Sequence, residues 1–290
     1  MEFLILKMEK ISLKAFAKIN IGLNIISKRP DGYHEIETIF QLIDLHDIIT
    51  ISKRNDTQIV IHSRNKNIPL NQDNICYKAT NLLRGVSGIP DGINITINKR
   101  IPLGAGLGGG SSDAASALKG LIKIWGLKLN ENSLMNLAKQ VGADVPFFVK
   151  GGTAFATGIG EKLTQIKFPT EYFCVLVHPN IEISTEWAYK NYNFSLTKTK
   201  KISKLAQILQ EKINLSELRN CVQNDFEKVV FREFPELSEL KKKLYQSGAF
   251  FTSMSGSGST IFGLFKNFLK AEEAMGTFAK SWQTMLAQPI

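Results

Sequence analysis

The chain has 290 residues, 43% of them hydrophobic, and carries 36 basic and 26 acidic side chains for a formal net charge of +10. That length suits two domains or one large one, and that apolar fraction builds a sizeable core. No apolar run reaches the length of a membrane helix, and three widely spaced cysteines and four histidines leave neither a disulfide framework nor a pair at metal-ligand spacing. The apolar patch at residues 3–6 runs into charge with no small-residue cleavage site, which predicts no secretory leader. The unpaired thiols predict a reducing, cytoplasmic setting. The basic surplus favours acidic partners, either phosphorylated small molecules or nucleic acid, but the lysines are scattered and no aromatic-interleaved basic cluster stands out.

Residues 13–25 alternate. Leu13, Ala15, Ala17, Ile19, Ile21, Leu23 and Ile25 share one face, and Lys14, Phe16, Lys18, Asn20, Gly22 and Asn24 share the other. This predicts a strand with one buried face and aims Lys18 and Asn20 to the same side. A Pro30-Asp31-Gly32 turn follows, then strands over 33–42, 47–52 and 58–62, a helix over 73–86 and a strand over 93–98.

Next comes the stretch that dominates the sequence: Pro102, Leu103, Gly104, Ala105, Gly106, Leu107, Gly108, Gly109, Gly110, Ser111, Ser112. Glycine reaches left-handed backbone conformations and lets the chain approach a ligand closely. Behind it Ala114, Ala115, Leu118, Leu121, Ile122 and Trp125 recur at helical spacing, with Ser111 or Ser112 available as a cap. The unpaired first N–H groups of such a helix, at the positive end of its dipole, favour phosphate. No lysine follows the glycines, so the stretch is not a Walker A loop. A formal G-x-G-x-x-G is present, but Lys99, Arg100 and Pro102 separate it from the strand, and a helix fills the place of the acid-tipped strand that a dinucleotide fold requires. A flexible linker is seldom flanked by a strand and a patterned helix. The stretch therefore reads as a loop for nucleotide phosphates.

A second helix is expected over 133–141, ended by Gly142 in the left-handed position. After Asp144-Val145-Pro146-Phe147-Phe148 comes a strand and hairpin around the Gly158-Ile159-Gly160 turn. A domain boundary is expected near residues 165–170. Beyond it the pattern predicts a strand over 172–177, helices over 185–192, 203–212 and 224–247, a basic connection at 198–201, a strand-turn-strand over 250–262, and a last helix over 269–286.

Three blocks taken together, A-K-I-N at 17–20 with D-G-Y-H at 31–34, the P-L-G-A-G-L-G-G-G-S-S-D-A loop and S-G-S-G-S at 255–259, resemble the three motifs of the GHMP kinase superfamily. G-A-D-V-P-F-F at 142–148 is similar to its catalytic aspartate segment in the branch that phosphorylates a cytidine-diphosphate-linked alcohol for non-mevalonate isoprenoid synthesis. The resemblance spans about residues 12–265. It implies an α/β (α+β) kinase of two domains, an N-terminal domain of the ribosomal protein S5 domain 2 type over 1–165 and an α+β domain over 166–290, with the active site in the cleft between them. It also implies ATP and Mg²⁺, held by the loop from Pro102 to Ser112. Ser111, Ser112 or waters are the metal-ligand candidates, and no acidic metal ligand stands out. By the same resemblance Asp144 is the base that takes the alcohol proton, and Lys18 is the second catalytic group, favouring the ionised aspartate and the developing alkoxide. Asn20 lies near the substrate, and Tyr33, His34 and Tyr189 hold the cytidine base by stacking and hydrogen bonding. The implied partner is a small molecule, with no nucleic acid or membrane, acted on by a monomer or weak homodimer. Two other readings remain open: a GHMP kinase for mevalonate, homoserine or a sugar, and an RNA-binding protein of S5-like topology.

Overall fold

The computed structural model describes residues 8–192, 205 and 215–290. The apolar patch at 3–6, the basic connection at 198–201 and, Leu205 apart, the helix expected over 203–212 lie outside the described residues. The chain divides into two compact units. The first comprises Met1–Phe16, His46–Ile101 and Gly109–Lys150, and the second Ala17–Leu45, Pro102–Gly108 and Gly151–Ile290. Two long strands, β1 (Lys10–Lys28) and β2 (His34–Lys53), pair with each other and contribute residues to both units.

In the first unit the distal half of β2 runs antiparallel to β4 (Ile93–Asn98), which runs parallel to β3 (Ile59–Ser63). Helix α1 (Ile75–Ser87) packs on α2 (Gly109–Ile124) and α3 (Glu131–Val141), and α4 (Val145–Lys150) packs on α2 and α3. Asn74 and Asn130 cap α1 and α3, accepting from Cys76 N–H and Ser133 N–H, both at 2.8 Å. Gly120 lets α2 lie against the strands, since a Cβ there would meet Ile51 Cδ1 at 2.5 Å and Leu13 Cδ1 at 2.8 Å.

Two expectations are corrected here. Helix α2 begins at Gly109, so Ser111 and Ser112 stand within its first turn and do not cap it. The first turn closes against the end of β4, where a Cβ on Gly109 would already press on Lys99 Nζ and Ile101 at 3.0 Å. Gly142 is extended (φ 176°), not left-handed, because its carbonyl accepts from Val145 N–H and turns the chain directly into α4.

In the second unit the proximal half of β2 pairs antiparallel with β5 (Thr153–Thr157), and β5 with β6 (Lys162–Gln165). A separate antiparallel sheet has the order β10-β7-β9-β8, from β7 (Phe173–His178), β8 (Phe251–Met254), β9 (Ile261–Phe265) and β10 (Gln283–Ala287). Its helices are α5 (Thr185–Asn191), the short α6 (Leu218–Cys221), α7 (Phe226–Glu233), α8 (Pro235–Gln246) and α9 (Phe268–Phe278). A core of Val175, Val177, Phe226, Val230, Leu237, Leu240, Ile261 and Phe265 joins these helices to the sheet.

The expected helix over 224–247 is two helices, because Pro235 cannot continue the first and instead opens the second at its N-terminus. The expected helix over 269–286 stops at Phe278. The following residues form β10, whose Met285, Leu286 and Ala287 pair with Leu176, Val175 and Cys174 of β7. The two strands expected over 33–42 and 47–52 are one continuous β2. Strand β1 departs from the half-buried pattern: Ala17 to Leu23 are buried on both faces. The polar face is covered within the same unit by the glycine loop, whose Leu107 carbonyl accepts from Lys18 N–H at 3.0 Å, and by residues 222–225.

Candidate active site

Gly104, Gly106 and Gly108 have φ of 61°, 75° and 69°, while Ala105 and Leu107 between them keep ordinary backbone and are buried. Alternation of this kind curls a chain into a nest whose N–H groups converge. The loop is tied down through its carbonyls. Ala105 C=O accepts from Thr260 N–H (3.4 Å), Gly106 C=O from the Ser255 hydroxyl (2.8 Å) and Leu107 C=O from Lys18 N–H (3.0 Å). Among the described residues, the N–H groups of Gly106, Leu107 and Gly108 donate to no acceptor. A Cβ on Gly104 would meet nothing within 4 Å, whereas one on Gly106 would overlap the Ser255 carbonyl oxygen. The loop is therefore packed shut at Gly106 and open at Gly104.

Beside this loop the second unit holds Lys18 and Asn20, on one side of β1 as their spacing predicts. Lys18 is only 4% exposed, with its ammonium hydrogen-bonded to Asn20 Oδ1 and 5.1 Å from the centre of the Phe40 ring. Asn20 Nδ2 donates to Thr38 Oγ1 (2.9 Å), which donates to Gly22 C=O (2.6 Å). Asn20 N–H donates to Ser255 Oγ (3.3 Å), the hydroxyl that binds Gly106. Lys18, Asn20 and the loop over 102–108 thus form one connected group with the S-G-S-G-S turn.

The aromatic candidates separate into a pair and an outlier. The His34 and Tyr189 rings stack in parallel, 4.4 Å apart and 5° from coplanar, and Tyr189 rests edge-on against Phe226 at 4.9 Å. Tyr33 is 60% exposed; its backbone is fixed by the Asp31 carboxylate, which accepts from Tyr33 N–H at 3.1 Å. Burial, and secondarily the Lys28 charge, hold the His34 pKa below the usual imidazole range. The ring is therefore neutral near pH 7.

In the first unit lie Gly109, Gly110, Ser111 and Ser112, the first turn of α2, with Ser112 buried and Ser111 partly exposed. Asp144 stands partly buried at the α3–α4 junction, where its carbonyl accepts from Phe147 N–H (3.1 Å). Lys119 on α2 fixes the far end of α4 by donating to Phe148 C=O (2.9 Å).

Sequence reading missed two supports. One is an ion-paired cluster at the flanks of the loop. Lys99 Nζ binds the Asp47 carboxylate and Asp113 Oδ2 (2.9 Å), and Asp47 Oδ1 accepts from the N–H groups of Arg100 (2.5 Å) and Ile101 (2.9 Å). Desolvation raises the Asp113 pKa against the pull of Lys99. The other support is the Asn224-Asp225-Phe226-Glu227 segment. Asn224 Nδ2 donates to the carbonyls of Met254 (2.8 Å) and Gly256 (2.7 Å), and Glu227 Oε1 accepts from Met254 N–H (2.9 Å) and the Ser253 hydroxyl (3.1 Å). Neither support carries a signal in the sequence, since each group becomes recognisable only through the partners that folding brings to it.

Comparison with known proteins covers most of the chain. The profile of the GHMP kinases N terminal domain matches residues 74–152 and that of the GHMP kinases C terminal domain residues 203–283. The 4-diphosphocytidyl-2-C-methyl-D-erythritol kinase of Alkaliphilus metalliredigens (strain QYMF) is 43% identical over 268 residues, 92% of each chain. A crystal structure of a 4-(cytidine 5'-diphospho)-2C-methyl-D-erythritol kinase superposes with a TM-score of 0.81 at 31% identity, over 96% of this chain and 99% of that one. The homoserine kinase of Cytophaga hutchinsonii ATCC 33406 shares the fold alone, with a TM-score of 0.78 at 17% identity over 100% of this chain and 97% of its own.

Proposed function

The chain belongs to the 4-diphosphocytidyl-2-C-methyl-D-erythritol kinases, a branch of the GHMP kinases, and we propose that it transfers the γ-phosphoryl group of ATP to the 2-hydroxyl of 4-diphosphocytidyl-2-C-methyl-D-erythritol. The observation that carries the reading is the loop over 104–108, held by its carbonyls with N–H groups unspent and room beside Gly104. Such a cradle suits polyphosphate, and phosphoryl transfer asks the protein chiefly for positioning and charge stabilisation. The binding loop runs from Pro102 to Ser112.

Lys18 is preorganised by the Asn20–Thr38 chain of hydrogen bonds, so its charge need not be arranged during the reaction. In our reading it stabilises the substrate oxygen as Asp144 accepts its proton, and Asn20 orients that hydroxyl. Tyr33, His34 and Tyr189 hold the cytosine by stacking and hydrogen bonding. Mg²⁺ suits this donor set as a phosphate-bound ion. Among the described residues no three His, Cys, Asp or Glu side chains cluster to hold a metal, and Mg²⁺ ordinarily keeps waters and substrate phosphates as ligands. The partly exposed Ser111 hydroxyl, with Ser112, would contact it, and the bound ion would neutralise charge developing on the phosphate oxygens. We further propose domains over 1–165 and 166–290, a reading supported by the two family profiles falling on either side of that boundary. We assign a small-molecule substrate without nucleic acid or membrane partners, a cytoplasmic site of action and a monomer or weak homodimer. Among the described residues no helix is long and apolar enough to cross a membrane.

The test supplies purified protein with Mg-ATP and, in separate reactions, the cytidine-linked substrate, mevalonate and homoserine. ADP release with the first alone is expected; release only with another alcohol, or with none, overturns the reading. Asp144→Asn and Lys18→Ala should each lower kcat by about 10²–10⁴ while ATP still binds. Turnover near that of the parent protein would remove the residue from its role.

A further inference from the structure

Residues 223–225 are fastened to β1. Leu23 N–H donates to Gln223 C=O (2.9 Å), Asp225 N–H to Leu23 C=O (2.8 Å) and Ile25 N–H to Asp225 Oδ2 (2.9 Å). Asn224, in the middle, is buried, and both its amide N–H groups and its side-chain oxygen are hydrogen-bonded. Its carbonyl oxygen accepts from Phe226 N–H (3.0 Å) at the start of α7, and its amide spans the two carbonyls of Met254 and Gly256. Those carbonyls flank Ser255 on either side. Ser255 Oγ donates to Gly106 C=O and accepts from Asn20 N–H. One buried amide therefore brackets Ser255, whose hydroxyl joins the glycine loop to the strand carrying Lys18.

We infer that Asn224 is a positioning residue for the phosphate-binding loop, acting through the Ser255 hydroxyl on Gly106. The inference rests on the reading of that loop as the ATP site. Asn224 touches neither substrate in this scheme. Its effect comes from geometry, because buried carbonyls accept no substitute partner without moving. A Cβ at Gly106 would overlap the Ser255 carbonyl oxygen, so a small shift of the turn is transmitted directly to the loop. Glu227 reinforces the same turn through Met254 N–H and Ser253, but it does not bracket Ser255.

The discriminating variant is Asn224→Asp. It keeps the acceptor for Phe226 N–H, is nearly isosteric, and replaces the two donors with an oxygen facing two carbonyls. Ser255→Ala and Ser255→Thr complete the series, the first removing the linking hydroxyl and the second retaining it. Binding of a fluorescent ATP analogue to each full-length protein is measured by titration, with KM for both substrates and kcat alongside. Asn224→Asp and Ser255→Ala should weaken the nucleotide about tenfold, with KM for the cytidine-linked substrate within about twofold and Ser255→Thr near the parent value. If Asn224→Asp does not fold, Asn224→Ser, which removes the amide that spans both carbonyls, takes its place with the same weakening expected, and unchanged nucleotide binding in it overturns the role. Unchanged nucleotide binding in a folded Asn224→Asp, or equal losses for both substrates, overturns the positioning role alone. A parent protein that binds no nucleotide overturns the ATP reading and this inference together.

Discussion

The middle of the glycine loop and its two flanks are held by different chemistry. Residues 105–107 are fixed by neutral groups: two backbone N–H donors and one serine hydroxyl, all directed at carbonyl oxygens. The flanks at 99–101 and 109–113 are fixed by charge, with Lys99 ion-paired to Asp47 and Asp113 in a buried cluster. The difference follows from what each part must leave available. Anchoring by carbonyls leaves the N–H ends of the peptide dipoles for an anion, and it places no carboxylate among the anchors of residues 105–107. At the flanks the buried ions sit on the side chains of Lys99, Asp47 and Asp113, and their desolvation is offset by close pairing and by the two N–H groups bound to Asp47.

The sharpest way to break this comparison is at Gly106. Gly106→Ala forces a Cβ onto the Ser255 carbonyl oxygen at φ 75°, and kcat/KM for ATP should fall by about 100-fold or more. Gly104→Ala meets no neighbour and carries only the left-handed strain of about 1–2 kcal/mol, so its loss should be about tenfold. Steady-state kinetics at varied ATP separates the two, and equal losses would contradict a loop closed at one glycine and open at the other.

A second test compares the anchors by stability. Lys99→Met strips the cation from two buried carboxylates and should cost about 3–5 kcal/mol in urea unfolding. Ser255→Ala removes a neutral hydroxyl and should cost about 1 kcal/mol. A Lys99→Met loss no larger than that of Ser255→Ala would show that the flanks do not depend on charge.

The smallest effect concerns pH. Burial lowers the pKa values of His34 and His178 from 6.5. The unfolded chain then takes up protons more readily than the folded one. Stability is full above pH 6.5 and declines as pH falls from there through the depressed folded values. Melting temperature followed downward from neutral pH should drop, and His178→Gln, which removes the ring 3.5 Å from the Ser259 hydroxyl of the turn, should flatten part of the slope. A slope identical in that variant would separate His178 from the pH response.

Local pattern was enough wherever one stretch supplied its own reason. The strand at Ile93–Asn98 has the predicted bounds, because alternation and a following breaker define it without outside help. The glycine loop was legible because glycine adopts its left-handed backbone without strain, and Lys18 and Asn20 could be placed on one side of β1 because a strand has a period of two. The pairing of His34 with Tyr189 is a different matter, since 155 positions separate them and only the family resemblance named both.

What the tertiary structure decided were the elements whose reason lies in a distant segment. Residues 283–287 become a strand because β7 offers an edge of unsatisfied backbone groups. The polar face of β1 is buried because the glycine loop and residues 222–225 settle on it. Asn224, Glu227, Asp47 and Asp113 carry no periodic signal of their own, and only the donors and acceptors brought to them by folding make their burial favourable. By itself the sequence determined the chemistry of the loop and of its candidate partners. Folding determined which groups hold that loop, because satisfying a buried hydrogen bond depends on where the partner ends up in space.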